Sequence, residues 1–509
     1  MTAMGMPLGT HVSHNAVRFA DKVALIQGER RMTYAELDAA SNRVANALRA
    51  RGLSNGDHVA LLLGSCIDWV VLYVGIAKAD CTAVPMNYRL TAGDIGATIE
   101  DCTPALMFLG DDLREIVPPD ARVPTIVSTS PASIASFVEQ ADSDMPDVVV
   151  SPSRVQAILY TGGTTGRSKG AMLTHENIFW NCLNEIIDTR MHEDDNTLLA
   201  TPLHHAAALN CWLLPHLYLG ATATILPKYS VEAMVDTIEL HKVTNAFMPP
   251  SMAREVFGHL RTSVADLSSF RRWYVGGANL SRKDRDRMHE VIPGVEIYYQ
   301  YGLTEAGVIV SVLKEKDYEK APDSIGRAFL NTQIKILRED LTDADPGEVG
   351  ELAVRGPTVM KGYYNNAEAT RAVFHNGWLR TGDMGAMDEN GFVRFHDRLK
   401  DMVKTGGLNV YSQEVEQVLL HHGAVREVGV IGLPSDKWGE EVVAVIVIHD
   451  NQSVTGDELK KFARQELPGY KVPKRIVFLP YADMPINYSG KIIKRELKEK
   501  IQSTEGLRT

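Results

Sequence analysis

The sequence predicts an α/β protein whose parallel sheets are covered by helices, followed by a small, separate α+β domain. Three observations carry this. Helix and strand signals alternate through the first 325 residues. Short apolar strands there end in glycine-rich loops, the place where open α/β sheets hold ligands. After residue 401 the pattern becomes a compact helix–strand–strand–helix, about the right length for a small domain.

The elements follow in order. TYAE at 33–36 has the form of a capping box, with Thr33 as N-cap and Glu36 reaching back. Leu37, Ala40, Val44 and Leu48 then recur at helical spacing. Gly52 and the turn residues SNGD at 54–57 stop that helix, and HVALLL at 58–63 follows as a strand. VQAILY (155–160) and ATATIL (221–226) are further strands. FRRWYV (270–275) runs into Gly276, Gly277 and Ala278, and VEIYY (295–299) into Gln300, Tyr301 and Gly302. Strand signals become denser beyond residue 325, with DPG at 345–347 as a turn and DENG at 388–391 closing a hairpin. The charged stretch HDRLKD (396–401) reads as a linker. Helices are expected over 413–421 and 456–466, and strands over 425–433 and 440–448.

Composition excludes several classes. The 509 residues carry a net charge of −11, so nothing suggests a nucleic-acid binder. Lys491, Lys494, Arg495, Lys498 and Lys500 cluster, but acidic residues interleave and a solvated helix is expected. Five scattered cysteines without a CxxC argue against a disulfide framework or a zinc site. No secretory signal opens the chain. Residues 206–226 are apolar but interrupted by Asn210, Pro215, His216 and Gly220, so a buried core segment is expected rather than a membrane span. A soluble, cytoplasmic protein in a reducing compartment is the expectation.

YTGGTTGRSKG at 160–170 is rich in glycine and hydroxyls and ends in Lys169. It is not a Walker A loop, because Gly170 follows the lysine. Converging backbone N–H groups, with Thr161, Thr164, Thr165, Ser168 and Lys169, nonetheless equip it to hold phosphates. In YGLTE at 301–305, Tyr301 can stack on a base, Thr304 can donate to a phosphate and Glu305 can hold Mg²⁺. Asp383 in TGD (381–383) suits ribose hydroxyls, while Arg398 and Lys491 supply cations.

Together and in this order, these segments resemble the adenylate-forming superfamily: acyl- and aryl-CoA synthetases, firefly luciferase and nonribosomal peptide adenylation domains. The resemblance runs from TYAE to Lys491 and includes RLKDMVKTGGLNV (398–410), EVE (414–416) and GK (490–491). It implies a large N-terminal domain of stacked αβα sheets with a distorted β-barrel subdomain, over 1–397. A hinge at 398–401 and a mobile α+β domain at 402–509 complete it. It also implies ATP, Mg²⁺ and CoA. A carboxylate attacks MgATP to give an acyl-adenylate and pyrophosphate; a nucleophile, usually CoA, then displaces AMP.

On this resemblance Lys491 bridges the acyl carboxylate and the α-phosphate. Thr161, Gly163, Thr164, Thr165, Gly166 and Lys169 grip the pyrophosphate. Thr161 and Glu305 organise the metal, with Thr304 beside them. Gly276, Gly277, Ala278, Tyr299, Gln300, Tyr301 and Gly302 form the nucleotide site, and Asp383 and Arg398 take the ribose. Lys400 is the hinge, about which the small domain turns between half-reactions. Gly406 and Gly407 let a phosphopantetheine arm pass; Trp438, Tyr470 and Lys474 meet the CoA nucleotide. His205 gates the acid, and Met248 to Ser251 with Gly276 and Tyr299 line its pocket. Two loop positions depart from the common family form, Gly162 for Ser and Ser168 for Pro, and Val472 stands where some aryl-CoA ligases carry a basic residue.

An acid–CoA ligase is the leading expectation. The alternatives are an amide-forming ligase that passes the adenylate to an amine or amino acid, a carrier-protein loader, and an inert nucleotide-binding scaffold. Lys491, Glu305 and Asp383 are all present, against the scaffold. No carrier segment follows Thr509, so a stand-alone enzyme is expected. No aspartate stands at 211–214 to hold an amino acid's ammonium, so a neutral aromatic, alicyclic or medium-chain acid is expected. The sequence leaves the oligomeric state open, a homodimer among the options.

Overall fold

The computed structural model describes residues 5–161, 168–261, 265–278, 280–486 and 492–506, of which 504–506 are described as backbone only. The chain falls into two compact units, Met1–Ile334 with Val354–Leu379, and Lys335–Ala353 with Arg380–Thr509.

The first unit is built on two large sheets. In the seven-stranded sheet, Ile126–Ser128, Leu106–Leu109, His58–Leu62, Thr82–Pro85 and Val155–Thr161 run parallel. Lys169–Thr174 and Gly362–Tyr363 then add antiparallel at one edge. In the nine-stranded sheet the middle strands, among them Arg272–Gly276 and Glu296–Tyr301, are parallel, and the edges again antiparallel. The antiparallel edges depart from the parallel expectation: Val23–Gln27 with Arg30–Thr33, and Val155–Thr161 with Lys169–Thr174, are hairpins whose short connections leave no room for a crossover helix, whereas Gly362–Tyr363 reaches its neighbour from far along the chain.

Local signals explain the helices. Thr33 and Glu36 form the expected capping box on Tyr34–Ala50. That helix packs closely on Ile67–Lys78, where a Cβ on Gly75 would lie 2.6 Å from the Val44 side chain. Residues 207–219 are buried as expected, but begin as a wide-turned π-helix, Ala207–Leu213, before Leu214–Leu219.

A five-stranded curled sheet follows, with Gly350–Arg355, Trp378–Met387 and Val393–Arg398 among its strands. Residues 396–398 finish its last strand rather than forming part of an irregular linker. In the second unit, Val425–Ser435 and Gly439–Ile448 form a long hairpin flanked by Val403–Thr405 with Leu408–Val410, and by Arg475–Phe478. Helices Ser412–Leu420 and Gly456–Glu466 cover one face through Val415, Leu419, Leu459 and Ala463; Leu497 and Ile501 of Lys494–Gly506 cover the other. Burial of both faces explains the unbroken apolar run VVAVIVI at 442–448.

Candidate active site

Val155–Thr161 and Lys169–Thr174 pair so that Thr161 lies opposite Lys169, which brings both ends of the phosphate loop together. Gly163, Thr164, Thr165 and Gly166 lie outside the described residues. Next to this hairpin, Tyr363 pairs with Ala171. Its hydroxyl donates to Glu305 Oε1 at 2.9 Å, and Thr161 Oγ1 donates to the same oxygen at 3.3 Å. Lys169 Nζ stands 5.3 Å from the centre of the Tyr363 ring. Burial and the adjacent Glu305 charge raise the Tyr363 phenol, so it stays a donor. No described Lys or Arg forms an ion pair with Glu305. Among the described residues this corner offers one carboxylate and two hydroxyls, a set that fits Mg²⁺, which needs few protein ligands when substrate phosphates supply the rest. Sequence reasoning missed Tyr363; the GYY at 362–364 was its only trace.

Glu305 sits with Thr304 in a single turn after Glu296–Tyr301, and its carbonyl accepts from Met360 N–H at 2.9 Å. The bend before it demands glycine: a Cβ on Gly302 would lie 1.7 Å from the Val308 carbonyl oxygen. Gly276 and Gln300 are register partners, and a Cβ on Gly276 would lie 2.7 Å from Gln300 O. Gly277, at φ +80°, and Ala278 are exposed beyond that strand end; Tyr299 and Tyr301 are half-buried. The Gln300 side chain points away from the loop at the strand end. Strand alternation turns it inward, where Nε2 donates to Glu185 Oε2 at 2.9 Å. Glu185 is fully buried and its carboxyl is pushed up to about 8 by that burial, against hydrogen bonds from Gln300 and Cys211.

His205 lies beside His204, ring centres 4.1 Å apart, and Tyr88 meets His204 edge-on at 4.9 Å. Burial, reinforced by the Arg89 charge, lowers His205 to about 4, so its imidazole is neutral at pH 7. The following π-helix buries Cys211 and Trp212, and Trp212 stacks on Phe247 at 4.3 Å.

In the second unit Asp383 and Arg398 are register partners, with Arg398 Nε 3.7 Å from Asp383 Oδ1. The TGD turn is held by Thr381 Oγ1 donating to Leu352 O and by Gly382 N–H donating to Glu351. Lys400 is exposed in the next turn. Gly406 and Gly407 have φ of +58° and +78°. Gly406 N–H donates to Trp438 O at 2.8 Å, and a Cβ there would come within 3.2 Å of the indole. Lys474 Nζ stands 5.7 Å from that indole's centre. Trp438 and Tyr470 are 38% and 37% exposed, so neither is core. Val472 is buried, which leaves no surface for a cation at that position. The basic cluster is not uniformly solvated either, because Lys494 is half-buried against Glu416. Lys491 lies outside the described residues.

A family model described as "AMP-binding enzyme" matches residues 12–364, and its "C-terminal domain" matches 414–491. The chain belongs to the AMP-binding enzyme family. Within that adenylate-forming group it is 36% identical to a feruloyl-CoA synthase of Amycolatopsis sp, over 94% of this chain and 95% of that protein. It is 31% identical to an indoleacetate–CoA ligase of Aromatoleum aromaticum, over 97% and 98%. Among solved structures, ATP-bound MatB from Rhodopseudomonas palustris superposes with a TM-score of 0.89 at 29% identity, covering 97% of this chain and 99% of that one. The Bacillus subtilis o-succinylbenzoate CoA synthetase with ATP and magnesium gives 0.85 at 28%, covering 97% and 99%. This AMP-binding enzyme is an AMP-forming acid–CoA ligase: with ATP and Mg²⁺ it makes an acyl-adenylate and transfers the acyl group to CoA. No helix among the described residues is long and apolar enough to cross a membrane.

Proposed function

We propose that this ligase activates a neutral aryl-bearing carboxylic acid, with the residues above in divided roles. The observation that carries the site assignment is the Glu305 carboxylate gripped by Thr161 and Tyr363 where the two ends of the phosphate loop meet. Thr161 and Glu305 would hold Mg²⁺, which when bound offsets charge on the departing pyrophosphate. Lys169 and the loop take the β- and γ-phosphates, and Thr304 donates beside them. Gly276, Gly277, Ala278 and the Tyr299–Tyr301 face take the adenine; Asp383 and Arg398 take the ribose. Lys491 draws the acid carboxylate and the α-phosphate into line against their mutual repulsion. The small domain, 402–509, then turns about Lys400 in the 398–401 hinge. That withdraws Lys491 and presents Gly406 and Gly407 to the pantetheine arm, with Trp438, Tyr470 and Lys474 against the CoA nucleotide.

The acid class rests on charge. Around the 205–214 segment the histidine is neutral and Glu185 is protonated at pH 7. A substrate ammonium or second carboxylate would be buried there without compensation. The likeness to a feruloyl-CoA synthase and an indoleacetate–CoA ligase supports an aryl acid. Five free cysteines, four of them buried, suit the cytoplasm. Mass spectrometry of products from ferulate, indoleacetate, octanoate, malonate and an amino-acid mixture, each with MgATP and CoA, tests the assignment. Aryl-CoA thioesters are expected; exclusive turnover of octanoate or malonate, or amide products, would overturn it.

A further inference from the structure

The second unit holds an ionic cluster, buried at Asp397 and Ser412 and half-buried at Lys494 and Glu416, that no step above uses. Asp397, 1% exposed, is the penultimate residue of the strand Val393–Arg398, and the Arg398 backbone N–H donates to Asp397 Oδ1 at 2.8 Å. Asp397 Oδ2 accepts from Ser412 Oγ at 2.6 Å and from the Ser412 backbone N–H. Ser412 opens the helix Ser412–Leu420, whose own N-cap Tyr411 contributes no side-chain bond, so Asp397 caps that helix from outside it. Ser412 Oγ also accepts from Lys494 Nζ, which pairs with Glu416 Oε1 at 2.7 Å. Glu416 Oε1 takes the Val430 N–H at 2.8 Å as well. Burial pulls the Lys494 ammonium down, but Glu416 and Asp397 outweigh it and hold it above the usual lysine value.

The position of this cluster in the chain gives it meaning. Asp397 adjoins Arg398, assigned to the ribose. Lys494 is three residues after Lys491, assigned to the reacting carboxylate. Asp397 precedes the 398–401 hinge, whereas Ser412, Glu416 and Lys494 follow it. The cluster therefore ties two adenylate-handling segments together across the hinge, and a turn of the small domain about Lys400 would pull Asp397 away from its partners.

We propose that Asp397, Ser412 and Lys494 form a hinge-spanning latch that positions Lys491 and Arg398 for adenylate formation and is released for thioester formation. These are positioning residues, and the inference rests on the roles proposed above for Lys491 and Arg398.

The test separates the half-reactions in the full-length enzyme. ATP–pyrophosphate exchange with ferulate reads the first; CoA thioester formation from supplied feruloyl-adenylate reads the second. Indoleacetate and its adenylate replace them if the product panel favours that acid. Lys494→Met should lose about ten- to a hundredfold in exchange, as expected for misplaced reacting groups, with thioester formation unchanged. Lys494→Arg should restore most of the exchange. Ser412→Ala, which keeps the Lys494–Glu416 pair, should show a smaller loss with the same split, and decides the matter if Lys494→Met does not fold. Equal losses in both half-reactions, or no loss of exchange in the folded variants, would overturn the latch. Lys491→Ala is run alongside. If it retains exchange, the role given to Lys491 falls and takes this inference with it; if it abolishes exchange while the latch variants show no split, the latch alone falls.

Discussion

Glu305 and Glu416 are both carboxylates in hydrogen-bonded settings, yet they are built for opposite tasks. Among the described residues Glu305 takes side-chain hydrogen bonds from the Thr161 and Tyr363 hydroxyls, and no described cation pairs with it. Glu416 is closed off by the Lys494 ammonium and the Val430 N–H. A carboxylate surrounded by neutral donors keeps its charge available for an incoming cation. One paired with a half-buried ammonium has spent its charge on holding two segments together. The contrast teaches that the chemistry of each partner, more than burial, separates a ligand-binding acid from a structural one.

The contrast can be broken by mutation. Glu305→Gln should lower adenylate formation by about a hundred- to a thousandfold, the scale of losing a group that orders developing charge, while leaving thermal stability unchanged. A large drop in Tm with activity retained would reverse the two roles. Glu416→Ala strands the Lys494 ammonium and should cost about 3–5 kcal/mol of the second unit's stability, read by urea unfolding. An unaltered midpoint would show that this pair is not the fastening described. Tyr363→Phe removes one neutral hydrogen bond and should slow pyrophosphate exchange about fivefold, roughly 1 kcal/mol. No change there would leave Thr161 as the sole orienter of Glu305. The smallest effect is expected at the CoA side. Trp438→Ala should raise the KM for CoA about threefold, on the order of one exposed aromatic contact, with exchange untouched. A fall in exchange instead would assign the indole to the first half-reaction.

Most of the fold was legible because its signals are local. The capping box at Thr33, the strand ends at Gly276 and Gly302, the DENG hairpin and both helices of the small domain all rest on neighbouring residues. The resemblance named the candidate site in the same way, motif by motif. What stayed hidden depends on distant partners. Tyr363 meets Glu305 from 58 residues away, because a third strand joins the phosphate-loop hairpin. Gln300 looks like part of a nucleotide motif, but strand alternation sends its side chain to Glu185, 115 residues earlier. Lys494 reads as one more solvated lysine until the helix Lys494–Gly506 carries it to Glu416. The antiparallel sheet edges were hidden as well, since apolar alternation reports a strand and not its direction.

The measurement that bears most directly on this account is the pair of half-reaction rates of Lys491→Ala. The account predicts that pyrophosphate exchange is abolished, while CoA thioester formation from supplied acyl-adenylate proceeds at the wild-type rate. Equal loss of both steps, or exchange that survives, would contradict it.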